Sequence, residues 1–519
     1  MITYITTSIP YVNAQPHLGH ALEFVQTDVL ARHRRARGGQ VRLLTGTDDN
    51  ALKNVTAARA AGLPIADFVR ANGDAFVALA DRLGLDYADV IRTGSDRRHR
   101  PGVEALWNLV RDDLYQRSYT GLYCANCEQF YAAEDLVAGR CPEHGTVPEQ
   151  ITEQNWFFAL SKYQDRIDDA ISSGRVQLQP EHRRAEVLSF VRSGLADFSV
   201  SRPADRTGGW GIPVPGDPSQ TIYVWWDALA NYITALGFPD GAEYQRWWRD
   251  ADERIHVIGK GISRFHAVYW LGTLLAADQP LPTRIAVHEY LQLAGRKISK
   301  SDPARRAESP TSVLDRYGRD ALRWWLVSDV NRNGDTDFSD DRLQRRYTED
   351  LANTIGNLIN RLVVIIRRSF DGVVPDGAVS LPELAAVRNA AAELPARIDH
   401  ELDRFDLRRA AAAVVEVAAS ANQMIEATRP WELARSDDPA DRDRLAAICR
   451  DLVAVCRTIA TELAPFIPDG AARLAAALPP AEGSLAPSFS RRVAFPPLSD
   501  STKRRENEGA SDPSRIAEV

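Results

Sequence analysis

Hydrophobic positions in the first 90 residues alternate between short continuous runs and helix-periodic stretches. Residues 3–9 form one apolar run, and residues 41–45 form a second. Between them apolar side chains recur at helical spacing from Gly19 to Arg37, and helical periodicity continues after the second run to about Leu83. Because alternating strands and helices are typical of a parallel sheet covered by helices, the pattern predicts an α/β domain.

A different pattern interrupts this alternation between about residues 116 and 150, where Cys, Gly and Pro separate short segments. Apolar runs return later, and we expect each of them to be a parallel strand: 222–225, 255–258 and 284–287. An insertion therefore divides a doubly wound, Rossmann-like sheet. We expect a first catalytic half at 1–115, the insertion at 116–220 and a second half at 221–340.

The last third of the chain is helix-periodic throughout. It contains four long amphipathic stretches with no strand signal between them, at 351–366, 384–402, 407–428 and 442–466. A helical bundle is the simplest packing for such elements, so we predict an all-α domain at 341–497. The polar tail at 498–519 is expected to be disordered.

Composition narrows the class of protein. The 519 residues are 44% hydrophobic and 26% charged, which is typical of a soluble globular chain of two or three domains. We find no apolar stretch long enough to cross a bilayer and no secretion signal, so a cytoplasmic protein without membrane contact is expected. A net charge of −7 argues against a protein that coats nucleic acid, but it permits local basic patches.

The motif His17-Leu18-Gly19-His20 follows the first predicted strand and opens the first predicted helix. A helix N-terminus presents unpaired backbone N–H groups and the positive end of the helix dipole, which favour phosphate. Two histidines at this turn can donate to phosphate oxygens, and Gly19 lets a nucleotide approach the backbone. Taken alone, such a motif is more often a structural turn.

A second candidate phosphate element is Lys297-Ile298-Ser299-Lys300-Ser301, late in the α/β region. Lysines suit a loop that follows a leaving pyrophosphate, because each is a mobile point charge. Alone, this segment is equally typical of a solvated loop. In this order and on a divided parallel sheet, the two elements resemble the HIGH and KMSKS motifs of class I aminoacyl-tRNA synthetases.

Three of the five cysteines are clustered in the insertion. A C-x-x-C pair and a C-x-x-H pair are separated by thirteen residues, and together they supply Cys124, Cys127, Cys141 and His144. Three thiolates and one imidazole form a closed tetrahedral set, which predicts one structural Zn²⁺ per chain. Free thiols or a site that no longer binds metal remain the alternatives. The other two cysteines are interpreted as buried helical thiols.

Within class I, residues Thr3 to about Phe466 resemble the methionyl-tRNA synthetase family. The matching segments are 6–13, 45–48, 223–232, 256–260 and 264–270. Leucyl-, isoleucyl- and valyl-type relatives carry a long editing insertion, for which 116–222 has too little room. The resemblance implies that methionine and ATP, with Mg²⁺, form methionyl-AMP, which then esterifies the 3′ end of tRNA-Met.

The resemblance also implies a role for each matching residue. The catalytic residues would be His17, His20, Lys297 and Lys300. The ATP-binding residues would be these four together with Asn13, Gly19, Glu23 and Ser299. The amino acid would be bound by Asp48, through its ammonium group, and by Tyr11, Trp225, Ala228, Tyr232 and His288. The anticodon would be bound by Asn357, Arg361 and Trp431. On spacing alone, Trp225 and Tyr232 are more typical of a protein core. Arg361 alone would be an exposed helix charge, and Trp431 a packing residue at the start of a helix.

Several positions depart from the family pattern. Asp48 is followed by Asp49, Asn50 and Ala51 instead of Glu-His-Gly, Gly261 replaces an Asp, and Glu289 replaces a Gly. These changes motivate a second hypothesis, a paralogue that adenylates an amino acid for a small-molecule acceptor. A third hypothesis is a non-catalytic tRNA-binding protein. The chain ends without the extra C-terminal domain of some dimeric relatives, so we expect a monomer.

Overall fold

The computed structural model describes residues 1–124, 129–131, 133–142, 145–293, 295–297, 309–375, 379–478, 495 and 498. The chain forms two compact units. The first comprises Met1–Pro303 and Asn331–Thr336, and the second comprises Ala304–Val330 and Asp337–Val519. The segment 304–330, which the sequence interpretation placed in the second catalytic half, is thus grouped with the helical unit. Within the described residues, no helix combines the length and apolar character needed to span a membrane.

The strands are listed here in chain order: β1 (Ile2–Thr7), β2 (Gln40–Thr47), β3 (Asp89–Arg92), β4 (Leu114–Cys124), β5 (Gln129–Tyr131), β6 (Glu149–Phe158), β7 (Gln177–Gln179), β8 (Phe198–Ser199), β9 (Ser201–Pro203), β10 (Pro213–Val214), β11 (Asp217–Ile222), β12 (Glu253–Gly259), β13 (Arg284–His288), β14 (Leu291–Leu293), β15 (Arg296–Lys297) and β16 (Thr336–Asp337).

The α-helices of the first unit are α1 (Leu18–Ala36), α2 (Leu52–Ala60), α3 (Ile65–Leu83), α4 (His99–Leu109), α5 (Gln164–Ser172), α6 (Glu181–Arg192), α7 (Ala204–Thr207), α8 (Val224–Thr234), α9 (Ala242–Tyr244) and α10 (Trp270–Ala276). Those of the second unit are α11 (Pro310–Ser328), α12 (Asp340–Arg346), α13 (Asn357–Ser369), α14 (Ala385–Asp403), α15 (Leu407–Thr428), α16 (Pro430–Leu433), α17 (Pro439–Leu463) and α18 (Pro468–Ala477).

A six-stranded parallel sheet forms the centre of the first unit, with the strand order β3-β2-β1-β12-β13-β7. The predicted strands at 3–9, 41–45, 255–258 and 284–287 are all confirmed in it. β1 lies in the middle, where the two halves of the divided domain meet. The carboxyl ends of parallel strands meet at one edge, so Thr7, Gly259 and His288 lie along the same edge. Ligands bind at such an edge in open α/β sheets.

The sequence prediction for residues 222–225 is wrong. β11 ends at Ile222 and pairs antiparallel with β9 and β10 in a separate three-stranded sheet. Val224 then begins α8, with Tyr223 as its extended N-cap residue. A short apolar run has no periodicity that distinguishes a strand from the first turn of a buried helix. Here the helix is buried at almost every position, so its apolar side chains show no exposed face.

The insertion contributes a second antiparallel sheet, with the order β5-β4-β6-β8. The β4–β6 pair is long, and its register runs from Leu114 opposite Phe158 to Tyr123 opposite Glu149. Its far end carries the first cysteine of the predicted metal site, Cys124, which pairs with Gln129 on β5.

In the part of the second unit that the structure describes, the regular elements are helices, except for the last residue of β16. The predicted helical domain is therefore confirmed. Fully buried Arg323 on α11 donates to the carbonyl oxygens of Phe466 (2.8 Å) and Pro465 (3.1 Å). These carbonyls follow the end of α17, where helix carbonyls lack partners and attract a cation. The predicted disordered tail lies outside the described residues except for Leu498.

Candidate active site

The two histidines of the first phosphate element are fixed by the backbone at the start of α1. His17 is the N-cap residue, and its Nδ1 accepts from the backbone N–H of Gly19 at 3.1 Å. The backbone N–H of His17 donates in turn to Nδ1 of His20 at 3.0 Å. The rings stack with centroids 3.7 Å apart. Because a backbone N–H can only donate, both Nδ1 atoms lack a proton, and both imidazoles carry theirs on Nε2. The element therefore holds two parallel N–H donors at a helix N-terminus.

Gly19 is required by this arrangement. A Cβ atom at position 19 would lie 2.9 Å from Cε1 and 3.0 Å from Nδ1 of His17. Both distances are shorter than an ordinary van der Waals contact, so any side chain would displace the His17 ring. The sequence predicts that Gly19 lets a nucleotide approach the backbone, and the contact with the His17 ring is a second reason for glycine at this position.

Glu23, one turn further along α1, faces the neighbouring strand ends. Its Oε1 accepts from the backbone N–H and hydroxyl of Ser8 at 2.8 and 2.7 Å. Its Oε2 lies 3.0 Å from Nε2 of His288, whose Nδ1 donates to the carbonyl oxygen of Glu289 at 2.9 Å. The sequence analysis expected Glu23 at ATP and His288 in the amino-acid pocket. The structure joins the two across β1 and β13.

Asp48 and Tyr11 lie side by side beyond the ends of β2 and β1. They form an isolated parallel bridge, and the N–H of Asp48 donates to the carbonyl oxygen of Pro10 at 3.0 Å. The Asp48 carboxylate accepts from the backbone N–H of Asn50 at 3.2 Å. Asp48 is buried, with only 2% of its surface exposed. A buried carboxylate in this position suits a cationic ligand group, because its attraction strengthens as water is excluded.

The predicted pocket residues Trp225, Ala228 and Tyr232 lie three and four positions apart on α8, so they share one face of the helix. The Trp225 ring lies 6.1 Å from the Tyr11 ring and stacks on Phe265 at 3.8 Å. Ala228 and Tyr232 are buried. The structure thus brings together the aromatic residues that the sequence analysis selected.

Two histidines contact Tyr232: the His256 ring lies 4.1 Å from the Tyr232 ring, and His266 contacts the hydroxyl. The Tyr232 hydroxyl lies 2.7 Å from Nε2 of His266, and Nδ1 of His266 lies 3.0 Å from the carbonyl oxygen of Ile262. Nδ1 must donate to that carbonyl, so Nε2 accepts from the hydroxyl. Burial lowers the pKa of His266 to about 4, which keeps the ring neutral. His266 lies in one of the matching segments, but the resemblance assigned it no role. Its signal was the aromatic-rich run at 265–270.

An open cavity of about 880 Å³ has Tyr11, Trp225 and Phe265 in its wall, and Lys53 and Lys260 provide positive charge there. The insertion also lines this cavity, through residues of β5, of the segment after it and of α6: Tyr131, Asp135, Pro142, Glu186, Ser189 and Phe190. The volume suits a ligand larger than one amino acid.

Lys260 lies in an ion cluster beside this cavity. Its Nζ is 2.6 Å from Oδ1 of Asp335 and 3.1 Å from Oε2 of Glu289. Arg183 and His182, on α6, also contact Glu289. Burial opposes ionisation of Glu289, but the hydrogen bonds from Arg183 and Lys260 outweigh it and hold its pKa below the usual value. Glu289 is therefore an internal anion that ties the insertion to the sheet edge.

The second phosphate element is described only in part. Arg296 and Lys297 form β15, which pairs antiparallel with β14 and sets Lys297 opposite Gln292. Ser299 and Lys300 lie outside the described residues. Asn13 is half-buried in the loop before α1, which is anchored by the Asn72 amide donating to the Val12 carbonyl oxygen at 2.8 Å.

Two of the four predicted zinc ligands can be located. Cys124 and Cys141 are both buried in one small cluster with Tyr131. The carbonyl oxygen of Cys141 accepts from the N–H of Gly145, and the N–H of Cys141 donates to the carbonyl oxygen of Thr146, both at 2.8 Å. Cys127 and His144 lie outside the described residues. Among the residues that are described, no group of three or more His, Cys, Asp or Glu side chains forms a metal site.

The second unit brings two predicted anticodon residues together. The Arg361 guanidinium lies over the Trp431 ring, 5.5 Å from its centroid, and pairs with Glu426 at 2.8 Å. Asn357 begins α13 one turn before Arg361, so both lie on one face. A half-exposed indole beside a guanidinium offers a stacking surface for an unpaired base.

Comparison with protein families gives two matches. The model of class I tRNA synthetases (M) matches residues 3–147 and 143–363, and the anticodon-binding domain of methionyl tRNA ligase matches residues 374–494.

Individual proteins are similar over nearly the whole chain. The methionine–tRNA ligase of Brucella suis is 39% identical over 480 residues, which cover 91% of this chain and 90% of that protein. The ligase of Mycobacterium bovis is 36% identical and covers 91% of each. Among solved structures, Mycobacterium tuberculosis methionyl-tRNA synthetase bound by methionyl-adenylate superposes with a TM-score of 0.88 at 34% identity. That match covers 96% of this chain and 100% of the other.

Proposed function

Since the chain belongs to the methionyl-tRNA synthetase family of class I aminoacyl-tRNA synthetases, we propose that it is a methionine–tRNA ligase. A methionine carboxylate oxygen attacks the α-phosphorus of ATP, and the bond to the departing pyrophosphate breaks. A ribose hydroxyl of the 3′-terminal adenosine of tRNA-Met then attacks the adenylate carbonyl and releases AMP. A role in translation corresponds to a cytoplasmic enzyme.

The observation that carries this proposal is the protonation pattern of His17 and His20. Two Nε2–H donors, set by backbone hydrogen bonds, are held at a helix N-terminus. Donors held in this way stabilise the charge that develops on the α-phosphate without reorganising during the reaction. Mg²⁺ bound with ATP would supply further neutralisation of the phosphates. Lys297, Ser299 and Lys300 are proposed to follow the pyrophosphate, and Asn13, Gly19 and Glu23 to contact the nucleotide.

For the amino acid, we propose that Asp48 binds the ammonium group and that Tyr11, Trp225, Ala228 and Tyr232 surround the side chain. Sulfur contacts with aromatic rings contribute about 0.3–1.5 kcal/mol each. We add His266 to this set, because it contacts Tyr232 directly.

The pairing with Glu23 suggests that His288, expected in the pocket, acts instead at the boundary with the nucleotide.

In the insertion, we propose one structural zinc ion held by Cys124, Cys127, Cys141 and His144. The thiols of Cys124 and Cys141 support this proposal, since both are buried in one cluster. Three thiolates and an imidazole would close the coordination sphere, so the ion would brace the insertion and leave the reaction to other residues.

In the helical domain at 341–497, Asn357, Arg361 and Trp431 are proposed to bind the anticodon. The guanidinium–indole contact supports this assignment.

The decisive experiment is amino-acid-dependent exchange of pyrophosphate into ATP across a panel of amino acids, followed by charging of tRNA-Met. We expect exchange with methionine alone and subsequent charging. Exchange with methionine but no charging would favour the small-molecule paralogue, and no exchange with any amino acid would refute ligase activity altogether.

A further inference from the structure

A buried chain of hydrogen bonds links the Asp48 loop to the helix that carries the aromatic pocket. The side-chain amide of Asn50 donates to Oδ2 of Asp227 at 2.7 Å. Oδ1 of Asp227 pairs with Nε2 of His99, and Nδ1 of His99 lies 2.8 Å from the Thr234 hydroxyl. Asp227 is 1% exposed, and His99 and Thr234 are fully buried. These hydrogen bonds therefore connect the loop after β2 to both ends of α8.

At the other end of this series of hydrogen bonds, Asn50 contacts the proposed ammonium site. Its backbone N–H donates to the Asp48 carboxylate at 3.2 Å. Its amide nitrogen also approaches the Thr93 carbonyl oxygen at 3.4 Å. Both neighbours of that nitrogen are acceptors, so the contact requires an N–H donor at position 50.

Asp227 connects α8 to the loop that carries Asp48. It lies between Trp225 and Ala228, which line the proposed side-chain pocket, and its own side chain points to the Asp48 loop. A shift of α8 relative to Asp48 would change the distance between the ammonium subsite and the aromatic subsite. Methionine must reach both at once, so its binding depends on that distance.

We propose that Asn50, through Asp227 and His99, is a positioning residue that sets the separation between the ammonium subsite and the side-chain pocket. This inference rests on the proposed function. It also explains the departure at position 50. The family commonly has a histidine there, whose ring N–H is a donor, and asparagine supplies a donor in its place. Asp49 likewise retains the carboxylate of the usual glutamate, held by the Thr47 hydroxyl at 2.8 Å.

The test uses the full-length chain with Asn50→Ala, Asn50→Asp and Asn50→His, and Asn108→Ala on exposed surface of α4 as a matched control. KM values for methionine and ATP are measured by pyrophosphate exchange, and melting temperature is measured for each variant. Loss of a hydrogen bond to a buried charge should raise the methionine KM by roughly tenfold or more in Asn50→Ala. Asn50→Asp should be worse, because it sets two carboxylates against each other.

The ATP KM should change less than twofold in all variants, and Asn50→His should restore methionine KM to near the wild-type value. An Asn50→Ala enzyme with unchanged methionine KM would overturn the proposal. So would an equal rise in both KM values, which indicates general damage, or an Asn50→Asp enzyme that matches wild type. Absence of methionine-dependent exchange in the wild type would instead refute the proposed function, so the two failures are distinguishable.

Discussion

The substitution Gly19→Ala is expected to change the orientation of the His17 ring and to leave the stability of the fold nearly unchanged. The added Cβ would lie 2.9 Å from the His17 ring, whereas ordinary contacts begin at 3.4 Å. The ring must therefore move by about 0.5 Å or more, taken from those two distances. It cannot do so within its present contacts, because it is stacked on His20 and bonded to the Gly19 N–H. We expect the Nδ1 bond to break and the Nε2–H donor to turn away from the phosphate.

The expected loss follows from the turning of the Nε2–H donor, which adds to the initial shift of the ring. Misplacing a catalytic group by about 1 Å costs roughly 100-fold in rate, or about 2.7 kcal/mol. Stability should change little. A lost N-cap costs about 1 kcal/mol, and replacing Gly by Ala in a helix contributes about 1 kcal/mol in the opposite direction. The melting temperature should therefore remain within a few degrees, while kcat for adenylate formation falls about 100-fold and the methionine KM is unchanged.

The assay is single-turnover formation of the adenylate, with Gly73→Ala as the matched control. Gly73 lies inside α3, and its added Cβ would meet Arg92 at an ordinary 3.4 Å. The control should keep wild-type activity. A Gly19→Ala enzyme within threefold of wild type would refute the reasoning, because the His17 orientation would then be unnecessary.

Three further predictions concern other parts of the chain. Trp431→Ala should reduce kcat/KM for tRNA-Met charging by about tenfold through lost base stacking and leave pyrophosphate exchange intact; an equal fall in exchange would contradict this. Burial raises the pKa of Asp49 to about 6 from 3.8, so its contribution to stability is present below pH 3.8 and is lost as pH rises through 6. The free energy of unfolding of Asp49→Asn, measured in urea, should therefore rise by about 2–3 kcal/mol relative to that of the wild type as the pH increases from 4 to 7. A difference between the two proteins that does not change with pH would refute the pKa shift. Cys141→Ser should abolish the one bound zinc measured by metal analysis; full zinc content in the variant would contradict the proposed ligand set.

The sequence predicted the large elements because each repeats its pattern over many residues. The helix at 407–428 could be identified from its apolar spacing, and it is present as α15. The four-residue runs at 222–225 and 255–258 have no such period, and only the second is a strand of the parallel sheet, β12. The family resemblance placed the segment at 223–232 correctly but did not state its conformation.

Individual side-chain partners were harder to predict than elements. His256 and His266 lie in matching segments, and His288 was predicted in the pocket. Nothing in the spacing of these histidines shows which of them lies within hydrogen-bond distance of the Tyr232 hydroxyl. That choice depends on the path of the chain after Ile262, where a carbonyl oxygen orients the His266 ring. The Asn50–Asp227 contact joins residues 177 positions apart, and only the sheet topology brings them together.

The departures from the family pattern at positions 261 and 289 both change which carboxylates lie near Lys260. The family pattern sets a carboxylate directly after Gly-Lys and a glycine after His288, and this chain has the reverse. Glu289 lies 3.1 Å from Lys260 and is 2% exposed, so it places a buried carboxylate beside the lysine, in addition to Asp335 at 2.6 Å. We infer that this carboxylate compensates, in the charge around Lys260, for the one that is absent at position 261. Because Lys260 lines the cavity, we expect the two departures to affect ATP affinity more than methionine affinity, which is proposed to depend on Asp48, Asn50 and the pocket residues of α8.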